Sequence, residues 1–230
     1  MSKENQTSHH EDNFEQIEEV LTSSEQFIEK YQKQLSMIAI GIILVVVAYI
    51  GYHKFYKAPL EKEAIEQVAG AQVYFGQDAY KKALEGDGNK LGFIDIANEY
   101  SSTTVGNTAK AYAGVCYLKL GKFDEAINQL KGFSSEDFIV SQLAIANLGD
   151  AYMEKAEYAK AAKAYEKAAS DNANEFSTPI FIMKAGAARE LNKEFSKAAE
   201  LYKKIKTDFS KSMEARDIEK YITRAELLNK

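Results

Sequence analysis

The sequence predicts an all-α fold, a solenoid of antiparallel helix pairs preceded by one transmembrane helix, and three observations predict it. Residues 35–52, LSMIAIGIILVVVAYIGY, carry no charge, and at helical rise they span about 27 Å, close to the roughly 30 Å hydrocarbon core of a bilayer. After residue 60, Ala, Lys, Glu, Leu and Tyr dominate, Pro occurs only at 59 and 179, and Trp is absent. That composition favours helix and leaves almost no strand. Beyond residue 106, small and large residues recur at fixed offsets from three glycines, which is the mark of stacked repeats.

The elements follow in order. Residues 1–34 are an acidic tail with three Lys against eight Asp or Glu. The whole chain carries −5, so the remainder is near neutral, with no basic patch for nucleic acid and no polybasic segment for anionic lipid. Within the tail, Phe14, Ile17, Leu21, Ser24, Ile28, Tyr31 and Leu35 step alternately by three and four, a short heptad stripe that fits either a surface helix or a helical partner.

Residues 35–56 are the anchor. Tyr31 precedes the run, and Tyr49, Tyr52, Phe55 and Tyr56 close it beside His53, Lys54 and Lys57, the aromatic and basic flanks of a membrane interface. A cleavable signal peptide would begin basic and have a shorter apolar core, so the anchor is read as uncleaved. Lys30 and Lys33 before it nearly balance Lys54, Lys57 and Lys62 after it, and charge alone leaves the orientation open.

Residues 107–211 hold three copies of one pattern. Gly114, Gly149 and Gly186 are followed at nine residues by Phe123, Tyr158 and Phe195, at twelve by Ala126, Ala161 and Ala198, and at sixteen by Leu130, Tyr165 and Tyr202. The small residues are expected to let partner backbones approach, with the large ones filling grooves between copies. The pattern resembles the tetratricopeptide repeat, most fully in Ile145, Leu148, Gly149, Tyr152, Ala161, Tyr165 and Ala168. Gly121 ends a first helix, with Ala156 and Lys193 standing at the same place in less ideal turns, and Thr178-Pro179 opens another. Residues 57–106 read as a linker helix and a degenerate first copy: Leu60, Ala64, Ile65, Val68 and Ala69, a break at Gly86-Asp87-Gly88, then Phe93, Ile96, Ala97 and Tyr100. Residues 212–230 form a capping helix, with Asp217, Glu219, Lys220 and Arg224 on a polar outer face.

No catalytic or metal motif emerges. His9 and His10 sit in the tail and His53 beside the anchor, without the spaced partners of a metal site or a triad. Gly86-Asp87-Gly88-Asn89-Lys90 lacks phosphate-loop spacing. Glu136 and Asp137 are sequence neighbours, which do not face each other on a helix, and read as charge at a helix start. Cys116 is alone and reads as a small core residue. The chain is expected to be no enzyme and to need no cofactor.

The tetratricopeptide resemblance implies a concave groove lined by the first helix of each copy. Its protein-binding positions map to Tyr112, Val115 and Lys119 in the first copy, to Asn147, Asp150 and Glu154 in the second, and to Ile180, Met183, Lys184 and Ala187 in the third. Thr108, Ala111, Leu143, Ala146 and Leu191 flank them. Members that hold the carboxyl-terminal tail of a heat-shock chaperone use Lys, Asn and Arg where Ala111, Val115, Asp150, Met183 and Ala187 stand here, so that clamp is not expected. Apolar Val115, Ile180 and Met183 suit an extended or helical peptide held in side-chain pockets.

A short acidic tail, one helix ending in aromatic and basic residues, and one repeat domain also resemble the ancillary subunit of the bacterial Sec translocon, most nearly over FIEKYQKQLSMIAIG, Phe27 to Gly41. The resemblance implies a single-pass protein of the inner (plasma) membrane with its N-terminus cytoplasmic and its repeats periplasmic. The partners it implies are the translocon, exported chains and periplasmic chaperones, with lipid met through the anchor and no nucleic acid. The alternative is a scaffold for one envelope complex, such as outer-membrane insertion or division machinery.

Overall fold

The computed structural model describes residues 30–171 and 173–230, and the chain divides into two units at Ala58–Pro59. The tail positions up to Ile28, with His9 and His10, lie outside the described residues.

In the first unit, α1 (residues 30–51) carries the uncharged run. The helix Lys30–Gly76 to which it belongs is long and apolar enough to cross a membrane, and none of its apolar window is buried. A core helix of this composition would be covered on at least one face. Between Tyr52 and Lys57 the helix widens into a π-turn, and the Ala58 N–H donates to the carbonyl of His53. Pro59 supplies the reason. It has no N–H for the Phe55 carbonyl, and its ring would press on that carbonyl in a regular turn, so a wider turn accommodates it. The Tyr52 and Tyr56 rings stack at 5.4 Å, and Tyr49 meets His53 at 4.4 Å.

The second unit is all helical among the described residues: α2 (Ala58–Gly76), α3 (Tyr80–Glu85), α4 (Phe93–Glu99), α5 (Thr104–Lys119), α6 (Phe123–Lys131), α7 (Phe138–Glu154), α8 (Tyr158–Ser170), α9 (Thr178–Leu191), α10 (Phe195–Asp208) and α11 (Ile218–Leu228). Pairs α5–α6, α7–α8 and α9–α10 are closed by one turn. Gly121, Ala156 and Lys193 take positive φ of 73°, 56° and 59°. The N–H of the next residue then reaches back five residues, Lys122 to Tyr117, Glu157 to Tyr152 and Glu194 to Arg189, each at 2.9 Å. This left-handed stop satisfies carbonyls that the ending helix would otherwise leave unpaired.

A fourth copy of that turn joins α2 to α3. Asp78 has φ 56° and Ala79 N–H donates to Tyr74 O at 2.9 Å. Tyr80 and Ala83 then occupy the places of Phe123 and Ala126, and Ala83 is fully buried. The break expected at Gly86-Asp87-Gly88 therefore lies inside the second half of this copy and not between its halves. There it separates α3 from α4. Asp87 pins the loop, accepting from the Tyr74 hydroxyl at 2.5 Å and from the Asn89 and Lys90 N–H groups at 2.9 and 2.8 Å. Those bonds, Tyr74's first, hold its carboxyl at about 2.

The glycines make room chiefly for side chains. A Cβ at Gly114 would lie 2.6 Å from Leu130, one at Gly149 2.6 Å from the Tyr165 ring, and one at Gly186 2.3 Å from the Tyr202 ring. Each glycine thus makes room for the large side chain sixteen residues on, and at Gly114 the Ala126 backbone carbonyl also approaches, to 3.4 Å of where a Cβ would stand. Ala126, Ala161 and Ala198 on the second helices are fully buried, as the close approach requires. Cys116 is also buried, and burial pushes its thiol up to about 12.

The buried residues form two clusters, one from Ala64 to Cys116 and one from Ala146 to Ala225. Between them stands α6, which has nine residues and buries only Ala126 and Leu130, whereas α8 buries six. The far end is closed by α11, through Ile218, Ile222 and Ala225. Its charges are not a free outer face: Arg224 bonds Glu190 on α9, and Glu219 pairs with Lys206 on α10. Arg189, almost buried, bonds Glu166 of α8 through two nitrogens at 2.8 and 2.9 Å and Glu194 of the next turn at 2.6 Å.

Three outcomes are expected for stability. Gly149→Leu forces the Tyr165 ring off its site and destabilises by about 1–3 kcal/mol in urea unfolding, and adding Tyr165→Ala, which clears the space the ring fills, recovers part of that loss. Lys193→Gly removes a left-handed Cβ conflict at an exposed position and stabilises by about 1 kcal/mol. The Glu194 carboxyl is held at about 2 against an ordinary 4.5, by Lys197 first and then by Arg189 and Asn192. A depressed carboxyl stabilises above its unfolded value and loses that contribution as pH falls through its folded one. Glu194→Gln is therefore less stable than the parent at neutral pH, and the gap closes between pH 4.5 and about 2 in parallel thermal melts.

Candidate functional site

Eight of the ten sequence-predicted groove residues fall into two clefts. The first, about 260 Å³, lies between α5 and α7 at the seam of the two cores, and Tyr112, Val115 and Asn147 line it with Leu143, Leu130 and Phe75. The short α6 leaves this face of α7 uncovered, so that Leu143 is 52% exposed. Phe75 comes from the end of α2 and packs edge-on to Tyr112 at 5.0 Å, while Phe93 stacks on Tyr112 at 4.8 Å. The ring of Tyr112 is thereby held in one orientation. The Asn147 amide makes no hydrogen bond among the described residues and stands in a mostly apolar lining, where the Thr108 hydroxyl is turned to the Thr104 carbonyl of its own helix. An unpaired amide in such a place presents a donor and an acceptor to whatever fills the cleft.

Sequence reasoning missed Phe75. Its only sequence signal is the Tyr74-Phe75 pair before Gly76, and a break placed at Gly86-Asp87-Gly88 conceals that α2 ends there, opposite Tyr112.

The second cleft, about 660 Å³, is lined by Lys119, Asp150, Glu154, Lys184 and Ala187, with Tyr165 at its wall. Leu118, Phe123 and Met153 complete a mixed lining, in which, among the described residues, Asp150 and Lys184 are paired and Lys119 and Glu154 are not. Asp150 accepts from the Tyr165 hydroxyl at 2.5 Å and from Lys184 Nζ at 2.7 Å, and Lys184 also lies 5.4 Å from the centre of the Tyr165 ring. Burial, then the Asp150 carboxylate, pushes the Tyr165 hydroxyl well above its usual range. Asp150 and Lys184 line the cleft as expected of groove positions, and their contacts also tie α7 to α8 and α9. The remaining two expected residues line neither cleft: Met183 is half-buried against the second core, and Ile180 lies exposed in the first turn of α9. The approach to α9 is held by polar contacts. Gln142 donates to the Asp171 carbonyl and accepts from the Ser177 hydroxyl, and Thr178 accepts from the Asn174 N–H at 2.8 Å.

The clefts offer binding and little acid–base chemistry. Among the described residues no three His, Cys, Asp or Glu side chains gather as a metal site. Asp137, read from sequence as charge at a helix start, caps α7 by accepting from the Ile139 and Val140 N–H groups.

Four left-handed turns, glycine against a large side chain, and stacked antiparallel pairs define a helical-repeat protein. Two solved structures of a kinesin-light-chain-type protein of Podosopora anserina with nearly identical TPR-like repeats, one of them a point variant, superpose with TM-scores of 0.53. They cover 73% of this chain and 86 and 87% of theirs, at 16 and 15% identity. The fold is therefore TPR-like. No protein-family model and no curated protein matches the sequence.

Proposed function

We propose that this protein is a membrane-tethered protein-binding module whose first cleft takes an apolar side chain of a peptide segment. On this reading α1 crosses the inner membrane once, the tail is cytoplasmic and the repeats are periplasmic. The partners are exported chains or chaperone segments beside the Sec translocon. One observation carries the binding role: the apolar cleft of Phe75, Tyr112, Val115 and Leu143 with the unpaired Asn147 amide in its lining. An apolar side chain fills the cleft while the amide pairs with a backbone group next to it, which suits a partner read by shape and not by charge. In the second cleft Asp150 and Lys184 pair with each other, and the exposed Lys119 and Glu154 carry opposite charges, so the cleft has no net charge of one sign to override that preference. The TPR-like fold supports protein partners in general, and the fully exposed apolar window of α1 supports the anchor. Tethering confines the groove to chains at the membrane face and raises their effective concentration without added contacts.

The test is capture of partners by the full-length protein from gently solubilised membranes, beside a variant lacking residues 1–57. Translocon subunits and a spread of exported chains accompany the full-length protein and are reduced without the anchor. Val115→Asp and Asn147→Ala each lower capture of exported chains about tenfold, or ~1.4 kcal/mol, with unchanged melting, and raised salt leaves capture intact. One stoichiometric envelope complex retained by both forms replaces this reading with the scaffold.

A further inference from the structure

The repeat unit has one edge on which the inter-repeat loops lie, and side-chain hydrogen bonds trace it from end to end. Glu61, three residues after the chain leaves the first unit, accepts from the Thr104 and Val105 N–H groups at 2.7 and 3.0 Å, at the start of α5. Asn107, in the next turn of α5, donates to the Ser134 carbonyl in the loop before α7. From the first turns of α7, Gln142 reaches Asp171 and Ser177 in the loop before α9. The edge that receives the chain from α1 is therefore the edge that carries the starts of α5, α7 and α9.

That edge also carries large apolar side chains with nothing over them. Phe176 is 84% exposed, Ile139 55% and Phe138 46%, and Ile180 opens α9 beside them. These are not side chains on slack backbone. Asn174 Oδ1 accepts from the Phe176 and Ser177 N–H groups at 3.0 and 2.7 Å, and the Asp137 cap fixes the turn that presents Phe138 and Ile139. A phenylalanine held outward in water is costly unless something covers it. The exposed charges around it have both signs, Lys131 and Lys167 against Glu136 and Glu175, so nothing there selects an anionic or a cationic partner.

We infer that this loop edge docks on the bilayer that holds α1, with Phe138, Ile139 and Phe176 seated at the boundary between headgroups and acyl chains. The inference rests on the reading of α1 as an anchor. Connectivity carries it: Glu61 follows the aromatics Tyr52 and Tyr56 by a few residues, so the Glu61 end of this edge is tied to the point where the chain leaves the anchor. Aromatic side chains partition well at that depth. The docking is apolar, hence independent of salt and of anionic lipid.

The chain has no tryptophan, so single substitutions report single positions. Full-length Tyr49→Trp, Phe138→Trp, Phe176→Trp and Leu120→Trp are reconstituted in phosphatidylcholine vesicles with and without acyl-brominated lipid, helical content being checked by circular dichroism. Leu120 ends α5 roughly 24 Å from its start and serves as the opposite edge. Expected is bromine quenching with blue-shifted emission at Tyr49→Trp, Phe138→Trp and Phe176→Trp, unchanged by salt or added phosphatidylserine, and no quenching at Leu120→Trp. Quenching confined to Tyr49→Trp overturns the docking and leaves the anchor standing. No quenching at Tyr49→Trp removes the anchor and the docking with it. A blue shift at Phe138→Trp and Phe176→Trp that requires added membrane proteins, without bromine quenching, assigns the edge to a protein partner and overturns the lipid.

Discussion

The left-handed residue that closes each helix pair is the constraint on which the repeat unit depends. Asp78, Gly121, Ala156 and Lys193 each reverse the chain within three residues, and each does so with the same backward N–H bond of 2.9 Å. Only one of the four is a glycine. A side chain there costs about 1–2 kcal/mol, so the conformation is imposed by the second helix of the pair. That helix brings an aromatic residue two positions on and a buried alanine five positions on, which can pack only if the chain returns at that angle. Once the angle is set, the glycine of the first helix faces the large side chain of the second, and the pair interlocks.

Interlocking is uneven, and the unevenness locates the binding surface. Where a tyrosine faces the glycine, at Gly149 and Gly186, the second helix is long and the core is continuous into α11. Where leucine faces it, at Gly114, the second helix is α6, with two buried side chains. The core divides there, and α7 turns an apolar face outward. The cleft of Phe75, Tyr112, Val115 and Leu143 is the consequence of a short helix. Polar contacts compensate elsewhere, as Arg189 gathers Glu166 and Glu194 and Asp150 gathers Tyr165 and Lys184. These pairs are partly solvated and hold register more than they add stability.

The same logic separates the two faces of the unit. In the second cleft Asp150 and Lys184 are spent on each other while Lys119 and Glu154 stay exposed, and the apolar surfaces left open are the cleft at the seam and the loop edge with Phe138, Ile139 and Phe176. Both lie on the first turns of α7 or close by, where no neighbouring helix covers them. In repeat architectures each unit is sealed by its neighbour, and a short neighbour leaves an opening.

Much of this is legible in the order of residues alone. The uncharged run, the repeats at 35 and 37 residues, the second-helix alanines and the Asp137 cap depend on local periodicity and short-range chemistry, which sequence carries directly. The internal turn of the first copy is not legible in the same way, because Asp78 is not glycine and the loop at Gly86-Asp87-Gly88 reads as the stronger break. Residue type does not report φ when tertiary packing enforces it. Three outcomes are decided only in three dimensions: that Asp150 and Lys184 pair with each other, that Met183 turns to the core while Ile180 does not line a cleft, and that Phe75 reaches Tyr112. Each depends on the rotation of one helix about its axis against a neighbour far away in sequence, and a helical period constrains which residues share a face without saying what that face meets.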